Sequence, residues 1–138
     1  MDERALSMRD LLCIHEGLLD RFGGMRGVTE QGFGKLDAAV AAPYVSMFGE
    51  DLYPDPHAKA GVLFYRIARS HGFSDGNKRV ALVALLEFLQ RHALDVEAND
   101  EDLYAFVMGT ASDWSLEQVQ LWLGPRIRRV QDEVSLAV

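Results

Sequence analysis

The feature that most constrains the fold is the segment 77–92, NKRVALVALLEFLQRH. Its apolar residues are Val80, Ala81, Leu82, Val83, Ala84, Leu85, Leu86, Phe88 and Leu89, which cover nearly the whole circumference of a helix. A helix that is apolar all round must be surrounded by other elements, so this one is predicted to be the buried axis of the fold. A chain of 138 residues can bury about 70% of its unfolded surface in one core, so a single domain over 1–138 is expected.

Most of the remaining chain also shows helical spacing with capping signals. Ser7 with Asp10, and Ser115 with Gln118, have the pattern of a capping box, and Asn99 precedes an acidic first turn. Thr29 is assigned to cap a second helix, and Pro125 to open the last one. The predicted helices span 7–22, 30–42, 57–70, 77–92 and 115–123, with a further helix from 100 and a short basic one over 126–134. The fold class is therefore all-α.

Two short segments are the β candidates. YVSMFGEDLY, residues 44–53, mixes aromatic residues with a central Gly49, which favours a short hairpin or extended flap. Residues 94–96 are the second candidate.

Net charge and cysteine content limit the function classes. The formal net charge of −7 disfavours binding to nucleic acid or to an anionic membrane surface. The amino-terminal MDERALSMRD has no apolar signal region, and no run approaches the roughly 18 apolar residues of a membrane span, so a cytoplasmic location is expected. Cys13 is the single cysteine, which excludes an internal disulfide, and its LLCIHEGLL setting predicts a buried thiol.

Residues 71–79, HGFSDGNKR, concentrate reactive side chains in a short connector. The connector leads into the amino end of the axial helix, where unpaired N–H groups and the helix dipole favour phosphate. Lys78 and Arg79 add cationic donors, and Gly76 lets an anion approach the backbone. Asp75 beside a phosphate suggests a bridging Mg²⁺, and His71 can accept a proton from an attacking hydroxyl. The pattern indicates phosphoryl or nucleotidyl transfer from a nucleotide.

Other motifs fit these residues less well. Gly72 and Gly76 are too close for a P-loop, and Arg79 replaces the Ser or Thr that follows the P-loop lysine. No HExxH, CxxC or EF-hand pattern is found in the sequence, so a structural metal site is not expected. His15, His57 and His92 lack comparable neighbours in the sequence, and each is assigned a structural or surface role.

HGFSDGNKR resembles the Fic/Doc family motif, and its lysine matches the Doc-type form H-x-F-x-D-[A/G]-N-K-R at every specified position. The resemblance continues through IHEGLLDRFGGMRGV, FGEDLYP and ALLEFLQRH, roughly over 10–124. It implies a compact helical Fic fold with a central buried helix and a short β-hairpin flap beside the active loop.

The resemblance also implies roles for individual residues, with ATP and Mg²⁺ as cofactors. His71 would be the general base, Phe73 would anchor the loop, and Asp75 would hold Mg²⁺. The residues implied in nucleotide binding are Gly76 and Asn77, which would shape the anion hole, and Lys78 and Arg79, which would contact the phosphates. The implied target-binding flap consists of Phe48, Gly49, Glu50, Asp51, Leu52 and Tyr53, which would pair with an extended target segment by strand addition.

The reaction depends on Lys78. Most Fic enzymes have glycine there and transfer AMP to a protein hydroxyl, whereas the resemblance to Doc-type members implies transfer of the γ-phosphate to a translation factor, elongation factor Tu. A long ammonium in the anion hole also changes the space and charge offered to the phosphates. Leu82 occupies the position of the second arginine of AMP-transferring members. AMP transfer stays open as the alternative, and a non-catalytic binding module as a second one.

The resemblance implies regulation by a separate chain. Some Fic proteins inhibit themselves through an [S/T]-x-x-x-E-[G/N] helix, and the nearest pattern here, Ser46 with Glu50, is followed by Asp51 and lies in the predicted flap. A cognate antitoxin that docks a helix into an apolar groove and inhibits in trans is therefore expected, with no direct contact to nucleic acid or membrane.

Overall fold

A computed structural model describes residues 2–130, and within them six α-helices surround one apolar core. The helices are α1 (Met8–Phe22), α2 (Gly32–Ala41), α3 (Pro56–Ala68), α4 (Asn77–Arg91), α5 (Asp100–Ser112) and α6 (Leu116–Leu123). The predicted all-α fold is confirmed. Among residues 2–130, no helix combines the length and the apolar character needed to cross a membrane.

Helix α4 is the axis of the fold, as the sequence predicted. It packs against α1, α3 and α5. Its buried residues are Val80, Ala81, Ala84, Leu85, Phe88 and Leu89. Leu82, Val83 and Leu86 are only half-buried, so one flank of the helix remains partly open.

Local capping signals fix the ends of several helices. Ser7 Oγ accepts a hydrogen bond from the Asp10 N–H at 3.1 Å, and the Asp10 carboxylate accepts from the Ser7 N–H at 2.8 Å. Gly23, with φ of 76°, ends α1. The predicted capping box at Ser115 and the Asn99 cap are both present. These predictions are confirmed because a cap depends only on neighbours within one turn.

The second helix starts later than predicted. Helix α2 begins at Gly32, and Gln31 at its N-cap position makes no side-chain cap. The Thr29 hydroxyl instead donates to the carbonyl oxygens of His71, at 3.1 Å, and Gly72, at 3.2 Å. The assignment of Thr29 as a cap is therefore wrong, because its hydroxyl is hydrogen-bonded to the loop after α3, more than 40 residues away in sequence.

Two short antiparallel pairs complete the described chain. Strands β1 (Ser46–Met47) and β2 (Glu50–Asp51) form the predicted hairpin after a 3₁₀ turn at Ala42–Tyr44. Strand β3 (Leu94–Val96) pairs with β4 (Ile127–Arg129), which follows a second 3₁₀ turn at Gly124–Arg126.

The predicted helix 126–134 is wrong where it can be compared with the structure. Residues 127–129 form β4, and residues 131–134 lie outside the described part of the chain. The backbone hydrogen-bonding groups of this segment are paired with β3. Beside the strands, the Glu97 N–H donates to the Arg126 carbonyl oxygen at 2.7 Å. The predicted burial of Cys13 is also wrong, because its side chain lies on the exposed face of α1.

A glycine contact joins α2 to the loop that follows α3. A Cβ at Gly32 would lie 2.0 Å from the Gly72 oxygen, which is backbone and cannot move independently. We expect Gly32→Ala to lower the free energy of unfolding by about 1–3 kcal/mol through overpacking. Urea denaturation checks this value. Gly34→Ala is the matched control, because its Cβ would meet nothing within 4 Å, and it should raise stability by about 0.5–1 kcal/mol. Equal effects of the two variants would contradict the contact.

Candidate active site

The loop between α3 and α4 is held in place by backbone pairing with the segment before α2. The Ser74 N–H donates to the Gly27 oxygen at 3.0 Å, and the Thr29 N–H donates to the Gly72 oxygen at 2.8 Å. Phe73, between these two contacts, is 1% exposed and belongs to the core. The loop is thus anchored at Gly72 and Phe73, which are buried, while His71, Ser74 and Asp75 are exposed.

Asn77 stabilises the turn between Phe73 and α4. Its side-chain oxygen accepts from the Phe73 N–H at 2.9 Å, and its amide nitrogen donates to the Phe73 oxygen at 3.0 Å. Both polar ends of the side chain are therefore used on the loop, so Asn77 shapes the loop rather than presenting a free amide.

The amino end of α4 carries unpaired donors. Gly76 is its N-cap, with φ of 85°, and supplies no side chain. The first backbone bond runs from the Val80 N–H to the Gly76 oxygen at 3.0 Å. Within residues 2–130, the N–H groups of residues 76–79 find no acceptor. Converging free N–H groups at a helix amino end form an anion site.

Four exposed side chains of the loop and of the first turn of α4 are predicted site residues: His71, Asp75, Lys78 and Arg79. His71 has φ of 49°, in the left-handed region that non-glycine residues seldom adopt. The Arg79 guanidinium lies 4.8 Å from the centre of the Phe22 ring. The segment 71–79 thus carries an imidazole, a carboxylate and two cations, all of them exposed.

Asp75, the predicted Mg²⁺ ligand, carries the carboxylate nearest in sequence to these N–H groups. Its Oδ2 accepts from the Met25 N–H at 3.2 Å. Among residues 2–130, no three His, Cys, Asp or Glu side chains are grouped as ligands. Mg²⁺ is commonly bound by one or two carboxylates together with substrate phosphates and water. The Asp75 carboxylate beside these free N–H groups therefore fits an ion that arrives with a nucleotide.

A cavity of about 650 Å³ opens beside the anion site. One wall consists of residues 75–79, and the other comes from α5, with Asp100 and the largely apolar group Leu103, Tyr104 and Met108. Leu82 also lines it. His71 does not line this cavity, and lies earlier in the same loop. The size is in the range of small-molecule sites, about 300–1,000 Å³.

The hairpin lies at the opposite end of α3 from His71. The Lys59 ammonium, in the first turns of α3, donates to the carbonyl oxygen of Tyr53. It also lies 4.0 Å from the Asp51 carboxylate. Phe48 at the tip is 98% exposed. Since α3 spans 13 residues, its two ends are about 20 Å apart at 1.5 Å per residue. The base of the hairpin and the active loop are therefore not in contact.

Sequence reasoning missed the residues of α1, and of the turn after it, that contact the loop between α3 and α4. The His15 ring is 5% exposed, and its Nε2 lies 2.9 Å from the Asp75 carbonyl oxygen. It stacks on Phe73 with 4.0 Å between ring centres. Gly24, with φ of 120°, leaves room for the Asp75 carboxylate, which a Cβ there would approach to 2.7 Å. The IHEGLLDRFGG pattern contained these residues, but nothing local linked them to residue 75.

Fold and site together define a helical protein whose central helix begins with unpaired N–H groups and is preceded by a loop that carries an exposed histidine. The model of the Fic/DOC family matches residues 5–89, and the chain belongs to this family. It is 41% identical over 78 residues to Toxin Doc of Mycolicibacterium smegmatis, covering 56% of this chain and 58% of that protein. It is 31% identical over 98 residues to Protein kinase doc of Escherichia phage P1, covering 67% of this chain and 71% of that protein.

Proposed function

We propose that the protein is a Doc-like toxin that transfers the γ-phosphoryl group of ATP to a hydroxyl of a translation factor. The observation that carries the proposal is the loop 71–79, which joins an exposed imidazole to a helix amino end with free N–H groups and two cations. The names of the two relatives, a toxin and a protein kinase, support the same class. Elongation factor Tu as the target rests on the family resemblance of the motif.

The chemistry can be assigned to side chains of this loop. The N–H groups of residues 76–79, with Lys78 and Arg79, bind and orient the phosphates. A ring nitrogen of His71 accepts the proton of the target hydroxyl as its oxygen bonds to phosphorus. The bond between the γ-phosphorus and its bridging oxygen breaks, and ADP leaves. Mg²⁺, held by Asp75 and phosphate oxygens, would neutralise charge on the phosphates.

AMP transfer is the second candidate, and the cavity beside the helix is the observation in its favour. If the nucleoside occupied the apolar wall of Leu103, Tyr104 and Met108, the phosphate nearest the anion site would be the α-phosphate. Leu82 lines the same cavity without adding a cation, and Lys78 places an ammonium at the helix end. These two residues favour γ-transfer over AMP transfer. The remaining alternative is a module that binds an anion or a partner and catalyses nothing.

The partner proposals extend from the same activity. A kinase toxin needs an inhibitor in the cell that makes it, and Ser46 with Glu50 lies in the β1–β2 hairpin, not on an inhibitory helix. We therefore extend the proposal to a separate antitoxin that inhibits in trans by docking a helix. For the target, strand addition on the hairpin would require a segment that also extends along α3 to His71. That length corresponds to about six extended residues at 3.3 Å each.

The test is a paired labelling experiment. Purified protein with Mg²⁺ and a bacterial lysate is incubated with ATP labelled at either the γ- or the α-phosphate. We expect label from the γ-position on a protein of the size of an elongation factor, and none from the α-position. Label from the α-position would establish AMP transfer instead. Label from neither position would support the binding module.

A further inference from the structure

We infer that His15 is a positioning residue that sets the orientation of the anion-binding peptide between Asp75 and Gly76; this inference rests on the proposed function. His15 lies in the middle of α1, and its Nε2 is 2.9 Å from the Asp75 carbonyl oxygen. A carbonyl only accepts, so this Nε2 carries the hydrogen and donates. The bond is part-buried, because His15 is 5% exposed whereas Asp75 lies at the surface.

The direction of this hydrogen bond determines the direction of the next N–H group. The described chain has no cis peptide bond, and in a trans peptide the C=O and the following N–H point in opposite directions. Because the Asp75 carbonyl points towards α1, the Gly76 N–H is directed away from α1. Gly76 lines the cavity, so the peptide between Asp75 and Gly76 lies at the wall where the phosphate would bind.

Three further contacts hold the imidazole and Asp75 in register. The His15 ring stacks on Phe73, with an interplanar angle of 24°. A Cβ at Gly76 would lie 3.8 Å from His15 Cδ2, so the ring also packs beside that residue. The turn after α1 holds the other end of Asp75, since the Met25 N–H donates to its carboxylate at 3.2 Å. Helix α1 and its turn therefore fix both the carbonyl and the carboxylate of Asp75.

A histidine that only filled the core would not need a donor at this position. Gly76 has φ of 85°, and peptides beside such a residue can rotate when one of their partners is lost. Without the Nε2 donor, the Asp75 carbonyl would lose its partner in this part-buried contact, which favours a rotation that brings it to solvent. The Gly76 N–H would then leave the phosphate wall.

The test compares variants of His15 that separate the ring from the donor. His15→Phe keeps a flat ring against Phe73 and removes the donor, whereas His15→Gln restores an amide donor at similar reach. Affinity for Mg²⁺–ATP and for Mg²⁺–pyrophosphate is measured by calorimetry, well below each melting temperature. We expect His15→Phe to weaken both about 10–100-fold, the usual effect of losing an orienting partner, and His15→Gln to recover most of the loss.

The outcomes separate this inference from the proposed function. Binding that weakens as expected supports the role of His15 even if the wild-type protein transfers no label. Unchanged affinity in His15→Phe, or a lower melting temperature with unchanged affinity, would overturn it. If the wild-type protein bound neither probe, no anion site would exist for His15 to orient. Should His15→Phe not fold, His15→Asn replaces it, since its amide is one methylene too short to reach, and equal affinities of the Asn and Gln variants would overturn the inference.

Discussion

Replacing His71 with alanine is expected to reduce phosphoryl transfer by about 10²–10⁴-fold, the contribution of a general base. The imidazole is exposed and lies in the loop that leads to the amino end of α4, whose N–H groups are free. Removing the imidazole therefore takes away the proton acceptor and leaves the phosphate site intact. Affinity for Mg²⁺–ATP should therefore remain close to wild type. The rate of labelling from γ-labelled ATP, measured at saturating nucleotide, checks the prediction.

The backbone at His71 calls for a second variant. With φ of 49°, alanine at this position costs conformational free energy that asparagine, which tolerates the left-handed region, largely avoids. His71→Asn removes the base while keeping the loop, and its loss of rate should match that of His71→Ala. His57→Ala, at the other end of α3, is the control and should transfer at the wild-type rate. Transfer by His71→Asn at the wild-type rate would rule out His71 as the base.

The parts of the fold that were predictable from sequence depend on short-range signals. The Ser7 and Ser115 capping boxes and the apolar circumference of α4 are each read within one or two turns, and all three are confirmed by the structure. The loop 71–79 was equally visible, because its reactive residues are contiguous in the chain.

Two of the predictions that failed, the last helix and the Thr29 cap, depended on partners distant in sequence. Strand β4 forms because β3 offers its backbone more than thirty residues earlier, and nothing in the basic sequence 126–134 announces that pairing. Threonine is a common helix cap, but the Thr29 hydroxyl donates to the carbonyl oxygens of His71 and Gly72 instead. His15 looked unremarkable in sequence, since the carbonyl that it contacts is 60 positions away. Helix caps are local, whereas active-site support is tertiary.

Replacing Lys78 with methionine is expected to reduce γ-phosphoryl transfer by about 10²–10³-fold, the usual effect of losing one donor to developing charge. Lys78 lies in the first turn of α4, is exposed, and lines the cavity beside free N–H groups. Methionine keeps the aliphatic length and a good helix propensity, so the loss reports the ammonium alone. Lys35→Met, at an exposed position on α2, is the control for a change of one charge. The measurement is the labelling rate from γ-labelled ATP, and an unchanged rate would exclude Lys78 from the phosphate site.

The glycine variant tests which phosphate the site selects. Lys78→Gly opens the space that the lysine side chain fills. In the described part of the chain, Arg79 is then the one cation that lines the cavity, because position 82 is leucine and not arginine. We therefore expect Lys78→Gly to lose γ-transfer without gaining comparable α-transfer, and Lys78→Gly combined with Leu82→Arg to label the target from the α-position. Strong α-labelling by Lys78→Gly alone would mean that the ammonium, and not the missing arginine, sets the orientation of the nucleotide. The two positions lie four residues apart on one helix, so they face the same phosphates and their effects should be strongly non-additive.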